Sequence, residues 1–300
     1  MRIATALLVL ALAPLVGGLA TRTRSFLTGR RGAPMLQPYA DLAKLLRKGA
    51  VYSTATTAVF RLGPLGYLVT TLAAALLVPF DARGSLVGFG GDIVLFAGLL
   101  AAGRFILVLA ALDTGSSFEG MGSSREVTVA SFAEPTLFLC LMVPMLATGQ
   151  LSLGRMFGAE LTEAWSRVAP ALAMAGVGLF VLLLAEAGRV PIDDPATHLE
   201  LTMIHEVMVL DHGGPDLGLI QYAGSLKLAM LGTLVVGVFV PRAALSPAGS
   251  MLLLVAGLAA VAVAVGTVES VMARLRLSRV PQLLVATAAL AAVALILVLR

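Results

Sequence analysis

Cysteine is nearly absent from this chain, and asparagine is absent altogether. The single cysteine, Cys140, lies inside an apolar run, so the chain can form no internal disulfide. One thiol is also too few to ligate an iron–sulfur cluster or a structural zinc ion, so any redox metal would belong to a partner. The lack of Asn excludes N-glycosylation acceptors. Charged side chains make up only 13% of the residues, about half of their share in soluble domains.

Long apolar runs dominate the chain instead. Hydrophobic residues fill 59% of its 300 positions and its mean hydropathy is +0.97, which is typical of a polytopic membrane protein. A spanning helix needs about 20 apolar residues, and lipid offers backbone groups no other partner. The sequence therefore predicts an all-α fold in a single integral membrane domain over 1–300, with eight spans near 3–20, 58–80, 88–112, 127–148, 168–187, 218–241, 247–269 and 280–299.

Lysine and arginine are divided unequally between the predicted loops. Loops after the first, third, fifth and seventh runs hold twelve of them, and the opposite side holds six. The positive-inside rule then places both termini outside the cell membrane and the loop after the fifth run in the cytoplasm. The same bias accounts for a pI near 9.6 without nucleic-acid binding. The first run could be a cleaved signal peptide. It is followed by Arg22, Arg24, Arg30 and Arg31, which favour a cytoplasmic loop and therefore a first run that is kept as a spanning helix.

The stretch 186–216 is the most unusual part of the chain, because it contains all three histidines and a concentration of Asp and Glu. Pro191 and Pro195 prevent a helix from continuing through it. Apolar residues then recur at helical spacing and predict an amphipathic helix over 196–210. A similar pattern predicts a second amphipathic surface helix over 34–48, in the first cytoplasmic loop. We expect 186–216 to organise the cytoplasmic side.

The cytoplasmic segments do not form a recognisable metal or catalytic site. His198, His205 and His212 are spaced by seven residues, about 10 Å between neighbours on a helix, so they cannot close on one ion. The segment 112–130, rich in Gly and Ser, is predicted to be a polar turn, and its serines have no local base or nucleophile elbow. We therefore predict no metal site and no catalytic residue in this chain.

Ionisable residues in or near the apolar runs indicate proton handling. A charge at the centre of a spanning helix costs on the order of 3 kcal/mol or more, so Arg104 and Lys227 should each face a partner or water. Glu186 and Glu134 are the natural carboxylate partners for Lys227. Chains of such groups are typical of proton relays, although some members could only hold helices together. The candidate relay consists of Arg104, Glu134, Glu186, Asp193, Asp194, Glu200, Glu206, Asp211 and Lys227.

Three cytoplasmic segments together resemble one protein family. They read GRVPIDDPATHLELTMIHEVMVLD from Gly188, LDTGSSFEGMGSSRE from Leu112 and GAPMLQPYADLAKLLRK from Gly32. They are similar to the membrane subunit shared by respiratory complex I, where it is subunit 1, and by energy-converting hydrogenases of the hydrogenase-4 and formate hydrogenlyase type. The resemblance covers nearly the whole chain. It implies an eight-helix anchor that holds a soluble arm and passes redox energy to proton or sodium translocation.

The resemblance also implies partners for this chain. They are soluble hydrogenase-like large and small subunits on the cytoplasmic side, with iron–sulfur clusters and, in a hydrogenase, a nickel–iron centre, and antiporter-like subunits in the membrane. This chain would itself carry no cofactor. The residues expected to dock the soluble arm are Asp41, Lys44, Asp113, Arg125, Glu126 and Arg189.

Departures from the complex I pattern favour the hydrogenase branch. That pattern reads Ala-Glu-x-Asn-Arg-x-Pro-Phe-Asp, and here Gly188 replaces Asn and Ile192 replaces Phe. His198 stands where complex I tends to have Glu, which puts a quinone-side acid cluster in doubt. The residues that match the family are Asp113, Gly115, Arg125, Glu134, Ala185, Glu186, Arg189, Pro191, Asp193, Glu200 and Leu201.

Two other functions remain open from the sequence. The chain could be the membrane subunit that forms the quinone site of an NADH-quinone oxidoreductase, which has the same anchor. It could also be a free-standing ion transporter, but that class predicts internal inverted repeats and broken mid-membrane helices, and the sequence contains neither.

Overall fold

The computed structural model describes residues 2–81, 83–193, 203–242 and 245–300. Within these ranges the chain forms nine α-helices and no β-sheet, and eight helices are long and apolar enough to cross a membrane. The predicted all-α fold with eight spans is therefore confirmed. The helices are α1 Arg2–Leu27, α2 Gln37–Arg47, α3 Ala58–Ala75, α4 Asp92–Asp113, α5 Ser117–Thr148, α6 Ala159–Glu186, α7 Gly214–Phe239, α8 Pro247–Val271 and α9 Val280–Leu299.

Helix α7 is the centre of the bundle. Its apolar length is 78% buried, and α1, α2, α3, α6 and α8 all pack against it. Pro215 occupies its first turn, where the missing N–H costs no helical hydrogen bond. The α9 segment is only 22% buried and lies at the edge, against α5 and α6. Lys227, near the middle of α7, is therefore buried inside the bundle.

Helix α5 begins earlier than the sequence predicts. The segment 112–130, expected to be a polar turn, is mostly helical, because α5 starts at Ser117 and not near 127. A Cβ on Gly122 would lie 2.4 Å from Val207 Cγ1 and 3.0 Å from Met208 Cγ, so the loop before α7 approaches the helix closely there. This loop covers the polar face of α5, and contact between distant segments is not visible in sequence periodicity.

Helix α6 also begins early, at Ala159 and not near 168. Its first turns contain Glu160 and Glu163, which the sequence places in an outer loop. The helix is kinked at Val168, with φ −132° and ψ 37°, two residues before Pro170, whose ring clashes with the preceding turn. The kink separates a short polar segment from the apolar spanning part.

The two segments predicted as surface helices differ in the structure. Helix α2 lies within 34–48, has no fully buried residue and packs along α7 and α1. The segment 196–210 is described only from residue 203, where it forms a 3-10 turn at Glu206–Val209 and not an α-helix. Residues 194–202 lie outside the described ranges and include Asp194, His198 and Glu200.

The close approach at Gly122 generates a stability prediction. We expect Gly122→Ala to lower the thermal midpoint of the purified chain in detergent and to expose 203–213 to protease, because overpacking costs about 1–3 kcal/mol. Gly120→Ala is the matched control, since no atom lies within 4 Å of a Cβ there. That change should leave the midpoint unchanged or raise it slightly. Equal midpoints for the two variants would contradict the close approach.

Candidate functional site

Arg104 lies in the middle of α4 and is the centre of a set of charged side chains inside the bundle. Its Nε atom is 3.1 Å from Glu126 Oε1, its Nη1 atom is 2.6 Å from Glu134 Oε1, and its Nη2 atom donates to Glu186 Oε1. The guanidinium presents five donors in a rigid fork, so it can serve three carboxylates at once. Because the carboxylates come from α5 and α6, one cation links three helices.

Lys227 is the second interior cation, about halfway along α7. Its Nζ atom is 3.1 Å from Glu186 Oε2, and both side chains are buried. The sequence-based expectation that Lys227 needs a carboxylate is confirmed, and Glu186 supplies it. Glu186 thus accepts from Arg104 with one oxygen and from Lys227 with the other, which compensates the desolvation of all three groups.

A second series of contacts connects Glu126 to the loop before α7. His205 Nε2 is 3.3 Å from Glu126 Oε2, and His205 Nδ1 is 3.4 Å from Asp193 Oδ2. The backbone N–H groups of Ile204 and His205 donate to Asp193 Oδ2 at 3.1 and 2.9 Å. The other oxygen of Asp193 lies 3.6 Å from Arg274 Nη2, in the connection between α8 and α9. The loop is therefore tied to α5 and to the α8–α9 connection.

The two loop groups favour their charged forms. Burial raises the pKa of Asp193, but the hydrogen bonds and charge of His205 outweigh it and hold the pKa of this carboxyl below its usual range. Burial lowers the pKa of His205, yet the charge of Glu126 and the contact with Asp193 more than offset it and raise that pKa. The contacts therefore favour an imidazolium between two carboxylates.

These side chains form one continuous set, which we name the buried charge cluster. It contains four carboxylates, three permanent cations and His205, so a protonated His205 makes the cluster neutral. Neutrality matters because the energy of an unbalanced charge is large away from water. The members are Arg104, Glu126, Glu134, Glu186, Asp193, His205, Lys227 and Arg274.

A cavity of about 580 Å³ lies beside the cluster. Glu186, Asp193, His205 and Lys227 reach it from one side, and Tyr67 of α3 lies on its wall. Helices α1, α2, α4 and α7, together with residues of the connection between α6 and α7, contribute the rest of the lining. The cavity is wide enough for several water molecules, and its polar wall offers them partners. The cluster therefore borders a cavity that can hold water.

The structure brings most of the predicted relay residues together. Arg104, Glu134, Glu186, Asp193 and Lys227 belong to the cluster, and Glu206 lines the cavity. Asp211 is separate from them: its side chain is exposed, and its backbone N–H donates to Glu119 Oε1 at 3.0 Å. Asp194 and Glu200 lie outside the described residues. The relay role of these groups stays a prediction.

One predicted docking residue is misplaced. Glu126 is only 4% exposed and lies between Arg104 and His205, so it cannot meet a soluble partner directly, and we assign it to the cluster. The sequence places it in a solvated turn, whereas α5 begins nine residues earlier and buries it.

The other proposed docking residues are involved in contacts within the chain or lie at the surface. Asp113 accepts from the backbone N–H of Thr57 at 2.6 Å and so holds the first turn of α3. Arg125 donates to the backbone oxygen of Met203 at 2.9 Å. The remaining three are Arg189, which pairs with Glu269 at 3.3 Å, Asp41, which accepts from Gln37 at 2.8 Å, and Lys44, which is exposed on α2.

Sequence reasoning missed three members of these networks. The spacing of the histidines tests His205 only as a metal ligand, although each imidazole nitrogen can also meet a separate carboxylate. Glu269 is a lone carboxylate within the apolar α8, so the burial cost used for Lys227 would have identified it. Arg274 is one of several arginines in its loop, and its distance to Asp193 is set by tertiary contact alone. Among the described residues, no three His, Cys, Asp or Glu side chains are grouped as metal ligands would be.

The pair between Lys227 and Glu186 generates a second stability prediction. Lys227→Met preserves much of the side-chain volume but leaves the cluster with an excess of carboxylates. Breaking a buried pair costs about 3–5 kcal/mol, so the thermal midpoint in detergent should fall. Adding Glu186→Gln should restore part of the loss by removing the unbalanced charge.

Lys48→Met is the control for this measurement, because Lys48 is exposed beyond the end of α2. It should leave the midpoint unchanged. A double variant of Lys227 and Glu186 that is less stable than Lys227→Met alone would show that the two side chains do not compensate each other.

Known proteins are similar to this chain in sequence and in fold. The family model described as NADH dehydrogenase matches residues 1–300. Hydrogenase-4 component C of Escherichia coli K12 is 32% identical over 240 residues, which cover 80% of this chain and 74% of the relative. Formate hydrogenlyase subunit 4 of the same strain is 32% identical over 285 residues, which cover 93% of this chain and 91% of the relative.

The fold also occurs in a solved structure. A chain of the membrane-bound sulfane sulfur reductase, an archaeal respiratory membrane complex, superposes with a TM-score of 0.83 over 99% of both chains, at 20% identity. At 20% identity, this superposition shows a shared fold and nothing about function. The full-length family match and the two relatives, together with the eight spans, show that this multi-pass membrane protein belongs to the NADH dehydrogenase subunit 1 family.

Proposed function

We propose that this chain is the membrane-anchor and ion-coupling subunit of a complex I-like oxidoreductase of the membrane hydrogenase or formate hydrogenlyase type. It would link electron transfer in a soluble arm to translocation of protons or sodium ions. The observation that supports this most is the continuity of the buried charge cluster from the loop before α7 to the interior at Arg104 and Glu134. In this proposal the chain itself makes and breaks no covalent bond.

Coupling in this arrangement depends on electrostatics. Glu186 is held by two cations, so its charge responds to any change in the balance around Arg104 or Lys227. Electron transfer near the loop would alter that balance. Protons, or a conformational bias, would then pass through Glu186, Lys227 and Glu134. The side chain of Glu134 is 42% exposed on α5, so it is the cluster member best placed to transfer a proton to a neighbouring subunit.

The same geometry suggests where partner subunits lie. The soluble arm would dock on the face formed by α2 and the loops before α3 and α7. There Asp113 and Arg125 hold backbone atoms in place, and Arg189 pairs with the side chain of Glu269. That arm would carry the iron–sulfur clusters and a nickel–iron centre. Antiporter-like neighbours would pack on exposed helices such as α8 and α9, whose apolar lengths are 33% and 22% buried. The names of both relatives, a component and a subunit, support membership of a larger assembly.

The relay assignment is tested in the assembled complex. Glu186→Gln and Glu134→Gln should each lower the number of protons translocated per electron by about tenfold or more, because an amide cannot carry the proton. Proton uptake by sealed inverted vesicles, divided by the rate of electron transfer, measures this ratio. Glu163→Gln is the control, since this carboxylate is exposed at the opposite end of α6. Intact translocation and intact assembly in both relay variants would disprove the assignment.

The proposed sidedness is tested by cysteine labelling in intact cells. In a Cys140→Ala background, Gly90→Cys should react with a membrane-impermeant maleimide, because it lies exposed on the side predicted to face outward. Thr54→Cys, exposed on the opposite side, should react only after the cells are permeabilised. The reverse pattern would place the cluster-bearing loop outside and would exclude docking of a cytoplasmic arm.

A further inference from the structure

We propose that His205 carries protons between the cavity and the buried charge cluster. This inference rests on the proposed function and adds a residue to the relay. Its side chain is 24% exposed and lies on the wall of the cavity, so water can reach it. Its two ring nitrogens face carboxylates on different segments, Asp193 after α6 and Glu126 in α5. No other described histidine has this arrangement, since His212 stacks on Phe60.

The bridging geometry permits a balanced proton transfer. Neutral His205 that carries its proton on Nε2 accepts a second proton at Nδ1 from a hydronium ion in the cavity, which is left as water, or from protonated Asp193, which is left as the carboxylate. The resulting imidazolium releases the Nε2 proton to Glu126 Oε2, 3.3 Å away, and remains neutral with its proton on Nδ1. One proton has then moved from the cavity side to the cluster, and no electron has moved. His205 Nε2 and Glu126 Oε2 form no hydrogen bond at this separation, so the transfer requires these two atoms to approach each other. Catalytic hydrogen bonds often tighten in this way when the site is active.

The charged groups around His205 keep both protonation states within reach. Glu126 and Asp193 stabilise the imidazolium, whereas Lys227 and burial oppose it. Arg104 engages the other oxygen of Glu126, and Arg274 engages the other oxygen of Asp193. Each carboxylate is therefore shared between His205 and an arginine.

Gly188 creates the space that the imidazole occupies. Its φ is +58°, and a Cβ at this position would lie 2.9 Å from His205 Nδ1 and 3.1 Å from His205 Cγ. Asn tolerates this backbone conformation, so the backbone alone does not require glycine. The side chain of Asn would still displace the ring. At this position the complex I pattern has Asn. The position of the His205 ring therefore depends on the absence of a side chain at Gly188.

The proposal is tested in the assembled complex in sealed vesicles, by the ratio of protons to electrons as a function of pH. In the wild-type complex we expect the ratio to decline at alkaline pH, where the imidazole of His205 loses its proton. His205→Gln and His205→Ala should each lower the ratio about tenfold or more and should remove this decline. His212→Gln is the matched control: His212 is buried on the same cavity wall and stacks on Phe60 with 4.0 Å between the ring centroids. Neither of its nitrogens is paired with a carboxylate of the described residues, whereas both nitrogens of His205 are. The control variant should retain the wild-type ratio.

Chemical rescue separates proton transfer from a structural role. Added imidazole should restore the ratio in His205→Ala, and a series of substituted imidazoles should restore it in proportion to their basicity. A structural role would give rescue that follows size and not basicity, or none, and either result would overturn the proposal. So would a wild-type ratio in His205→Gln when Glu186→Gln is impaired. If Glu186→Gln also translocates normally, the proposed function fails first.

The role of Gly188 has its own test. Gly188→Asn should lower the ratio in the wild-type background, because the imidazole is displaced from its two carboxylates. In the His205→Ala background the same change should have no further effect and should abolish rescue by added imidazole. An additive loss in the double variant would show that Gly188 acts independently of His205 and would remove this part of the proposal.

Discussion

The cost of placing Arg104 and Lys227 among apolar helices is the constraint that the rest of the bundle satisfies. A cation at that depth is expensive unless carboxylates compensate it. The chain meets this requirement by bringing carboxylates from α5 and α6 to one guanidinium and the ammonium of α7 to the far oxygen of Glu186. Apolar packing alone would tolerate several registers of these helices, whereas ion pairs at 2.6–3.1 Å tolerate few.

The fold could be predicted from the sequence because each span depends on a local property, the length of an apolar run. Errors occur at helix ends. Glu119, Ser123 and Glu126 resemble a solvated turn in sequence, yet α5 includes them and buries them. The loop that contains Val207, about 80 positions later, packs against this part of α5 at Gly122. Hydrophobic periodicity contains no information about such a distant contact.

The site was predictable only in part, and for a related reason. Lys227 lies within a predicted spanning helix, where an unpaired ammonium is costly. The need for a carboxylate partner such as Glu186 therefore follows from the cost of burial alone. The bridge from Glu126 through His205 to Asp193 does not, because none of these residues must be buried on sequence grounds. The spacing of the three histidines shows only that they cannot share one ion. The structure uses a single imidazole between two carboxylates, which spacing does not reveal.

The cluster connects the surface to the interior by contact. Two unit charges 4 Å apart interact by about 4 kcal/mol at an effective dielectric constant of 20. Each successive ion pair from Arg274 to Arg104 is shorter than that, at 3.6, 3.4, 3.3 and 3.1 Å. Because Glu126 touches both His205 and Arg104, a proton gained or lost at the loop changes the pairing that joins α4, α5 and α6. A charge change at the loop before α7 can therefore alter the ion pairs of Arg104 without moving a helix.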